Sequence, residues 1–243
     1  MALQHNPKIV TNGLVLCLDA GNPLSYSGSG TVWNDLSGNG YNGTLTNGPT
    51  FSSDNKGSIV FDGTNDHIVC TTNTTLDNIS SLTNFTVEGF VKWNVVPTAG
   101  EGQWIMANVN PSGNVAQLTG GLQFGYNPSV GFVFGTYRAG GFDSALSSTT
   151  AIANIWYHLT GLKLSTGYYL YINGNLIAST LTANNGGVAP TVLLLGLRQR
   201  DITYPSTTTY LNGNIANVKI YNRGLSESEI QQNYNATKGR FGL

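Results

Sequence analysis

Apolar and polar residues alternate with a period of two along most of this chain. That period predicts strands at 14–19, 58–62, 66–70, 85–93, 103–108, 121–126, 130–136, 155–163, 168–173, 175–180, 191–196 and 214–221. Successive strand side chains point to opposite faces, so each segment has one face to bury against a partner. A hairpin is predicted where Tyr169-Leu170-Tyr171-Ile172 and Asn175-Leu176-Ile177-Ala178 flank Asn173-Gly174, because those two residues tolerate the positive φ of a type I′ turn. The period changes near the end. Ile215, Val218, Ile220 and Leu225 are followed by Ser226 and Glu229, which have the Ser-x-x-Glu spacing of a helix that caps its own first turn. The predicted helix spans about 226–236 and packs Leu225, Ile230 and Tyr234 on the strands. The fold class that follows is all-β: an antiparallel β-sandwich with one short C-terminal helix.

Two stretches lose the alternation. From Pro111 to Gly121 and from Arg198 to Tyr210 the chain is polar and rich in turn formers, and Leu193-Leu194-Leu195-Gly196-Leu197 is predicted to deliver the second of these to one edge of the sandwich. Long loops on a rigid sheet are where binding groups are expected.

Composition narrows the partners. Only 9% of the 243 residues are charged and the formal net charge is -1, so no basic field gathers nucleic acid or anionic lipid. Asn, Thr, Ser and Gly cover the surface instead, a composition suited to sugars and to crowded assemblies. No run of about 18 apolar residues is present, which excludes a spanning helix. Residues 1–12 lack the charged start and long apolar core of a secretory signal and are expected to form a polar N-terminal arm. Cys17 and Cys70 both sit in apolar strand-like sequence, and buried free thiols are the preferred reading over a disulfide.

The residues give little sign of catalysis. Glu88 stands alone in Thr86-Val87-Glu88-Gly89-Phe90, where it is expected to face solvent or a neighbouring polar group, and Glu101 precedes the next strand in a glycine-rich loop. A glycosidase needs two carboxyl groups at a set separation. His5, His67 and His158 are too scattered for a recognisable zinc site, and Gly-x-Ser-x-Gly is absent. Asp62 and Asp66 are spaced like metal ligands, but Asp62-Gly63-Thr64-Asn65-Asp66 reads better as a tight turn built on side-chain-to-backbone bonds. Sugar binding asks for an aromatic face and fixed polar groups. The candidate ligand-binding residues are Trp33, Trp104, Tyr137, Arg138, Phe142, Arg198, Arg200, Asp201 and Tyr204.

The end of the chain, Asn214-Ile-Ala-Asn-Val-Lys-Ile-Tyr-Asn-Arg-Gly-Leu-Ser-Glu-Ser-Glu-Ile230, resembles the closing strand and helix of the laminin-G-like, or concanavalin A-like, jelly-roll superfamily. Gly13 to Ala20, Trp33 to Gly43, Ile59 to Ile68, Phe85 to Val91 and Trp156 to Leu159 resemble further pieces of that family in order. The resemblance implies that the first and last strands pair, and hence one laminin-G-like domain over 13–243. It also raises calcium, although Asn217 stands where the family often has a ligating Asp. The Glu-x-Asp-x-Glu strand of the glucanase branch is missing, so a non-catalytic protein with no cofactor is expected. The Asp-Leu-Ser-Gly-Asn-Gly and Ile-Tyr-Asn-Arg-Gly-Leu-Ser patterns are similar to those of phage structural proteins. They imply a virion surface protein, either a capsid decoration protein or a tail adhesin. Its expected partners are other virion proteins, its own copies in a homo-oligomer, or a cell-surface glycan. A secreted, extracellular bacterial carbohydrate-binding module is the alternative, and a glycoside hydrolase the third reading.

Overall fold

The computed structural model describes residues 8–71, 74–109, 121–138, 141–181, 192–198 and 209–243. In chain order its strands are β1 (Leu14–Asp19), β2 (Val32–Trp33), β3 (Gly43–Thr46), β4 (Thr50–Ser52), β5 (Ser58–Asp62), β6 (His67–Cys70), β7 (Phe85–Trp93), β8 (Gln103–Val109) and β9 (Gly121–Asn127). They continue as β10 (Gly131–Arg138), β11 (Gly141–Leu146), β12 (Trp156–Leu164), β13 (Gly167–Ile172), β14 (Asn175–Thr180), β15 (Val192–Leu195), β16 (Leu197–Arg198), β17 (Thr209–Tyr210) and β18 (Asn212–Tyr221). A single-turn helix, α1 (Thr74–Asp77), lies between β6 and β7, and α2 (Glu227–Thr237) follows β18.

Two antiparallel sheets face each other. The first has the order β14-β13-β12-β7-β18-β5-β4, with β1 also paired to β18; the second has the order β11-β10-β9-β8-β15-β6-β3-β2. As the resemblance implied, the first and last long strands pair, with Leu16 opposite Ile220 and Leu18 opposite Val218. Between the sheets lies a core of buried aromatics. Trp93 meets Tyr126, Phe132 and Tyr157 edge to face, and Phe134 meets Phe85, Phe124 and Tyr168. The predicted hairpin turn is present, with Asn173 at φ 51 and Gly174 at φ 78 and Ile172 opposite Asn175.

The first sheet buries its outer face as well. Ile230 of α2 packs with Leu162, Tyr171, Tyr221 and Leu225, while Tyr234 packs with Phe90, Trp156, Ala216 and Phe241. Residues 8–12 lie against this layer: Val10 N donates to Asn233 Oδ1 at 2.7 Å, and Tyr221 Oη donates to Val10 O at 3.0 Å. The predicted cap of α2 is complete. Ser226 Oγ accepts from Glu229 N, Glu229 Oε2 accepts from Ser226 N, and Arg223 grips both Glu229 oxygens. Arg223 holds the Glu229 carboxyl down at about 2. Ser226→Ala is expected to lower stability by about 1 kcal/mol. An unchanged urea midpoint would mean that the cap contributes nothing.

Cys17 and Cys70 are both buried free thiols, and burial pushes them up to about 11 and about 12. Asp35, in the loop after β2, accepts from the N–H groups of Cys17, Ser37 and Tyr41 and from Ser37 Oγ. Its carboxylate therefore stitches that loop to β1.

Candidate ligand cleft

The β5, β7, β8 and β18 strands all turn at one end of the sandwich. There Asn212 N donates to Gln103 Oε1 at 3.2 Å and Asn212 Nδ2 to Asp62 O at 3.1 Å, which ties three turns together. Between them opens a cleft of about 380 Å³, whose lining includes Gly63 and Thr64 from the β5–β6 turn, Glu101 and Gln103 at the start of β8, and Thr209 and Tyr210 of β17. The Tyr210 ring is half-buried and lies 6.4 Å from the His67 ring.

One wall of the cleft is held by a guanidinium. Arg198 Nη1 donates to Glu101 Oε2 at 2.7 Å, and Nη2 donates to Tyr137 Oη at 3.0 Å. The surrounding donors orient the Gln123 amide with its oxygen toward Arg198, where it accepts from Nε at 2.5 Å and from Nη2 at 2.8 Å. The same guanidinium lies 5.0 Å from the Trp104 ring centre, a cation–π arrangement. Phe142 closes the cluster with its ring 4.6 Å from that of Tyr137. Arg198 is 6% exposed. It therefore shapes the cleft through Glu101 rather than reaching a ligand itself.

The candidate residues from sequence thus divide. Trp104, Tyr137, Phe142 and Arg198 come together, but as supports. Trp33 is corrected outright: it is fully buried in the core, so its indole offers no face to a sugar. Trp104 is corrected in role, since it is 2% exposed and lies against Arg198. Arg138 ends β10 opposite Gly141, and its side chain lies outside the described residues, as do Arg200, Asp201 and Tyr204. Sequence reasoning passed over Thr64, Gln103, Thr209 and Tyr210 as binding groups. The signal for Tyr210 was an aromatic residue stranded in polar Ser206-Thr207-Thr208-Thr209, two positions before a strand.

Of the two surroundings expected for Glu88, the structure shows the polar neighbour. It does not face solvent: it is fully buried between β7 and α2, paired to Lys219 Nζ at 2.9 Å and accepting from Asn233 Nδ2 at 3.1 Å. Burial is the largest single influence and would raise its pKa, but Lys219 and His158 together outweigh it and bring Glu88 down to about 2. His158, 3.9 Å from Glu88 and against the Phe90 and Tyr234 rings, is lowered by burial and stays neutral. These three ionisable groups are sealed from substrate.

The oxygens raised for calcium do not fit that ion. Asp62 Oδ1 accepts from Thr64 N, and Asp66 Oδ2 accepts from Asp62 N, which is the side-chain-to-backbone turn. Opposite Asn217, Asp19 accepts from Arg240 Nη1 at 2.7 Å and from Gly21 N at 2.9 Å, so a guanidinium already supplies the positive charge there. A hard cation needs six to eight oxygens with several carboxylates among them. Among the described residues, no group of three or more His, Cys, Asp or Glu could hold a metal ion.

Comparison with known proteins adds the fold's relatives. The family model described as the concanavalin A-like lectin/glucanases superfamily matches residues 62–231. No curated protein matches the chain. Among solved structures, domain 4 of AbnA, an extracellular arabinanase from Geobacillus stearothermophilus solved in complex with arabinotriose, is similar with TM-score 0.67 and 16% identity. That match covers 91% of this chain and 98% of the other. Botulinum neurotoxin type C, described as entering cells through interaction with two ganglioside molecules, is similar with TM-score 0.70 and 14% identity over 94% of this chain. The binding domain of Paraclostridial Mosquitocidal Protein 1 has TM-score 0.68 and 20% identity over 93% of this chain. The match covers 52% of each of these last two chains. At such identities the likeness carries the fold.

Proposed function

This chain belongs to the concanavalin A-like lectin/glucanase superfamily, and we propose that it is a non-catalytic binding protein that takes a glycan into the cleft beside Tyr210. The observation that carries the reading is the cleft itself, with one half-buried aromatic ring beside Thr64, Thr209 and Gln103. A ring face for the apolar side of a sugar, beside fixed neutral donors and acceptors, is the arrangement that saccharides require. Against catalysis stands the placement of the acids. Glu88 is buried under α2, and Glu101 is the one carboxylate among the described lining residues. A hydrolase would need a second one opposite it.

Display on a virion, as a tail adhesin in preference to a capsid decoration protein, is part of the proposal. It rests on the loop and closing-strand motifs and on the low charge, and the cleft favours the adhesin because it suits a small ligand better than a lattice. Repeated display of one weak site on a homo-oligomer would supply avidity.

The test is a glycan-array screen of the purified protein alongside Tyr210→Ala, with the bound glycans recovered and analysed. Specific binding is expected, weakened about tenfold by the substitution, which is about 1.4 kcal/mol, with every glycan recovered intact. Silence of the wild-type protein, or cleavage of a bound glycan, would overturn the reading.

A further inference from the structure

Resting on that reading, we infer that the cleft selects neutral, hydroxyl-rich sugars and rejects glycans that end in an acidic sugar. Three observations point this way. First, among the described lining residues Glu101 is the charged one, and Gly63, Thr64, Gln103, Thr209 and Tyr210 are neutral. Second, the cation beside it is spent. Arg198 is buried, and four of its N–H donors go to Glu101, Tyr137 and the Gln123 oxygen. A ligand carboxylate would have to displace Glu101 to reach it, exchanging one ion pair for another and leaving Glu101 uncompensated. Third, the turn that supplies Gly63 and Thr64 starts and ends with carboxylates. Asp62, exposed and held ionised by the Thr64 N–H, adds negative charge directly beside Gly63 and Thr64, whereas Asp66 is buried and accepts from the Asp62 N–H.

Like charges brought together across a binding site suppress the wrong partner. The neutral groups have what a hexose needs. Gln103 Oε1 is occupied by Asn212 N, which leaves its amide nitrogen as the donor it offers; the Thr64 hydroxyl, bonded to the Asp62 carboxylate, keeps its lone pairs, and Tyr210 brings a hydroxyl that donates and accepts. A sugar ring carrying hydroxyls and no ionised group meets all of these without repulsion.

The experiment uses pairs of immobilised oligosaccharides, each neutral chain printed beside its counterpart capped with an α-linked sialic acid. The full chain and Glu101→Gln are measured at low and high salt. The wild-type protein is expected to bind the neutral member at least about tenfold more tightly, with the gap narrowing at about 1 M salt, where the Debye length is about 3 Å. Glu101→Gln, which removes the carboxylate and leaves Arg198 unneutralised, is expected to close the gap or reverse it. The salt series on the wild-type protein needs no variant, so a poorly folded Glu101→Gln leaves the test intact. Equal or tighter binding of the acid-capped members by the wild-type protein would overturn the selectivity while leaving glycan binding standing. Failure to bind either member of any pair would overturn the underlying reading and the selectivity with it.

Discussion

Lys219→Ala is expected to destabilise the protein by about 3–5 kcal/mol, because it leaves a buried carboxylate without its cation. Glu88 has no exposed surface, and its other partners are neutral: Asn233 donates one hydrogen bond, and His158 is kept uncharged by burial. For a chain of 243 residues, each kcal/mol is worth roughly 2–4 °C in the melting midpoint. The melting scan should therefore move by roughly 6–20 °C. Glu88→Leu combined with Lys219→Met should restore most of the loss, since replacing both members of a buried pair by apolar groups removes the desolvation cost along with the attraction. If the single substitution melts with the wild type, the buried Glu88 carboxylate does not depend on Lys219.

The same cluster sets an acid limit. Burial lowers the pKa of His158, so below its ordinary value of about 6.5 the unfolded chain takes up a proton that the folded one refuses, and stability falls as pH drops. Glu88, brought to about 2 from an ordinary 4.5, contributes fully above about 4.5 and loses that contribution as the pH falls toward 2. Unfolding curves collected from pH 7 to pH 3 should therefore decline in two stages.

Arg198→Ala is the second large effect. It removes a guanidinium that bridges Glu101 to Tyr137 and Gln123 and covers the Trp104 ring, and it should cost about 2 kcal/mol or more, since hydrogen bonds to charged groups are worth about 1.5–3 kcal/mol each and are not additive. Glycan binding should be lost with it, although Arg198 does not line the cleft. The chain around Glu101 loses its anchor, and the wall moves. Arg198→Lys keeps the charge but not the planar fork, so it should recover only part of either property. Full binding by Arg198→Ala would mean that the wall forms without its support.

Most of the fold was legible because long strands bury one face, and β1, β5, β7 and β14 begin and end at the predicted residues. The capping spacing of Ser226 and Glu229 likewise marked where α2 starts. What escaped were strands too short or too mixed to show a period. Gly141-Phe-Asp-Ser-Ala-Leu146 places Phe142 and Leu146 on one face and Ala145 on the other, with Asp143 beside it, so both faces carry apolar groups and no alternation survives. β2 is two residues long and is recognisable only by what Trp33 fills.

The site was less legible for a related reason. Sequence marks aromatic and charged residues as candidates but cannot say whether a side chain faces a ligand or a neighbour. Trp104 and Arg198 are as chemically apt as Tyr210; they pair with one another, whereas Tyr210 lines the cleft. For Glu88 the sequence left solvent and a polar neighbour both open, and the structure shows the second. A lone carboxylate in a strand does not show which until α2, more than 130 residues later in the chain, is folded over it.

The most direct measurement is an amide-detected NMR titration of the isotopically labelled full chain with a neutral oligosaccharide found on the array, recording the sugar's own spectrum in the same tube. Shifts concentrated at Gly63, Thr64, Glu101, Gln103, Thr209 and Tyr210, with the sugar spectrum unchanged over days, are the predicted result. Shifts that gather on α2 or along β14 and leave the cleft silent, or new anomeric signals from a cleaved sugar, would contradict it.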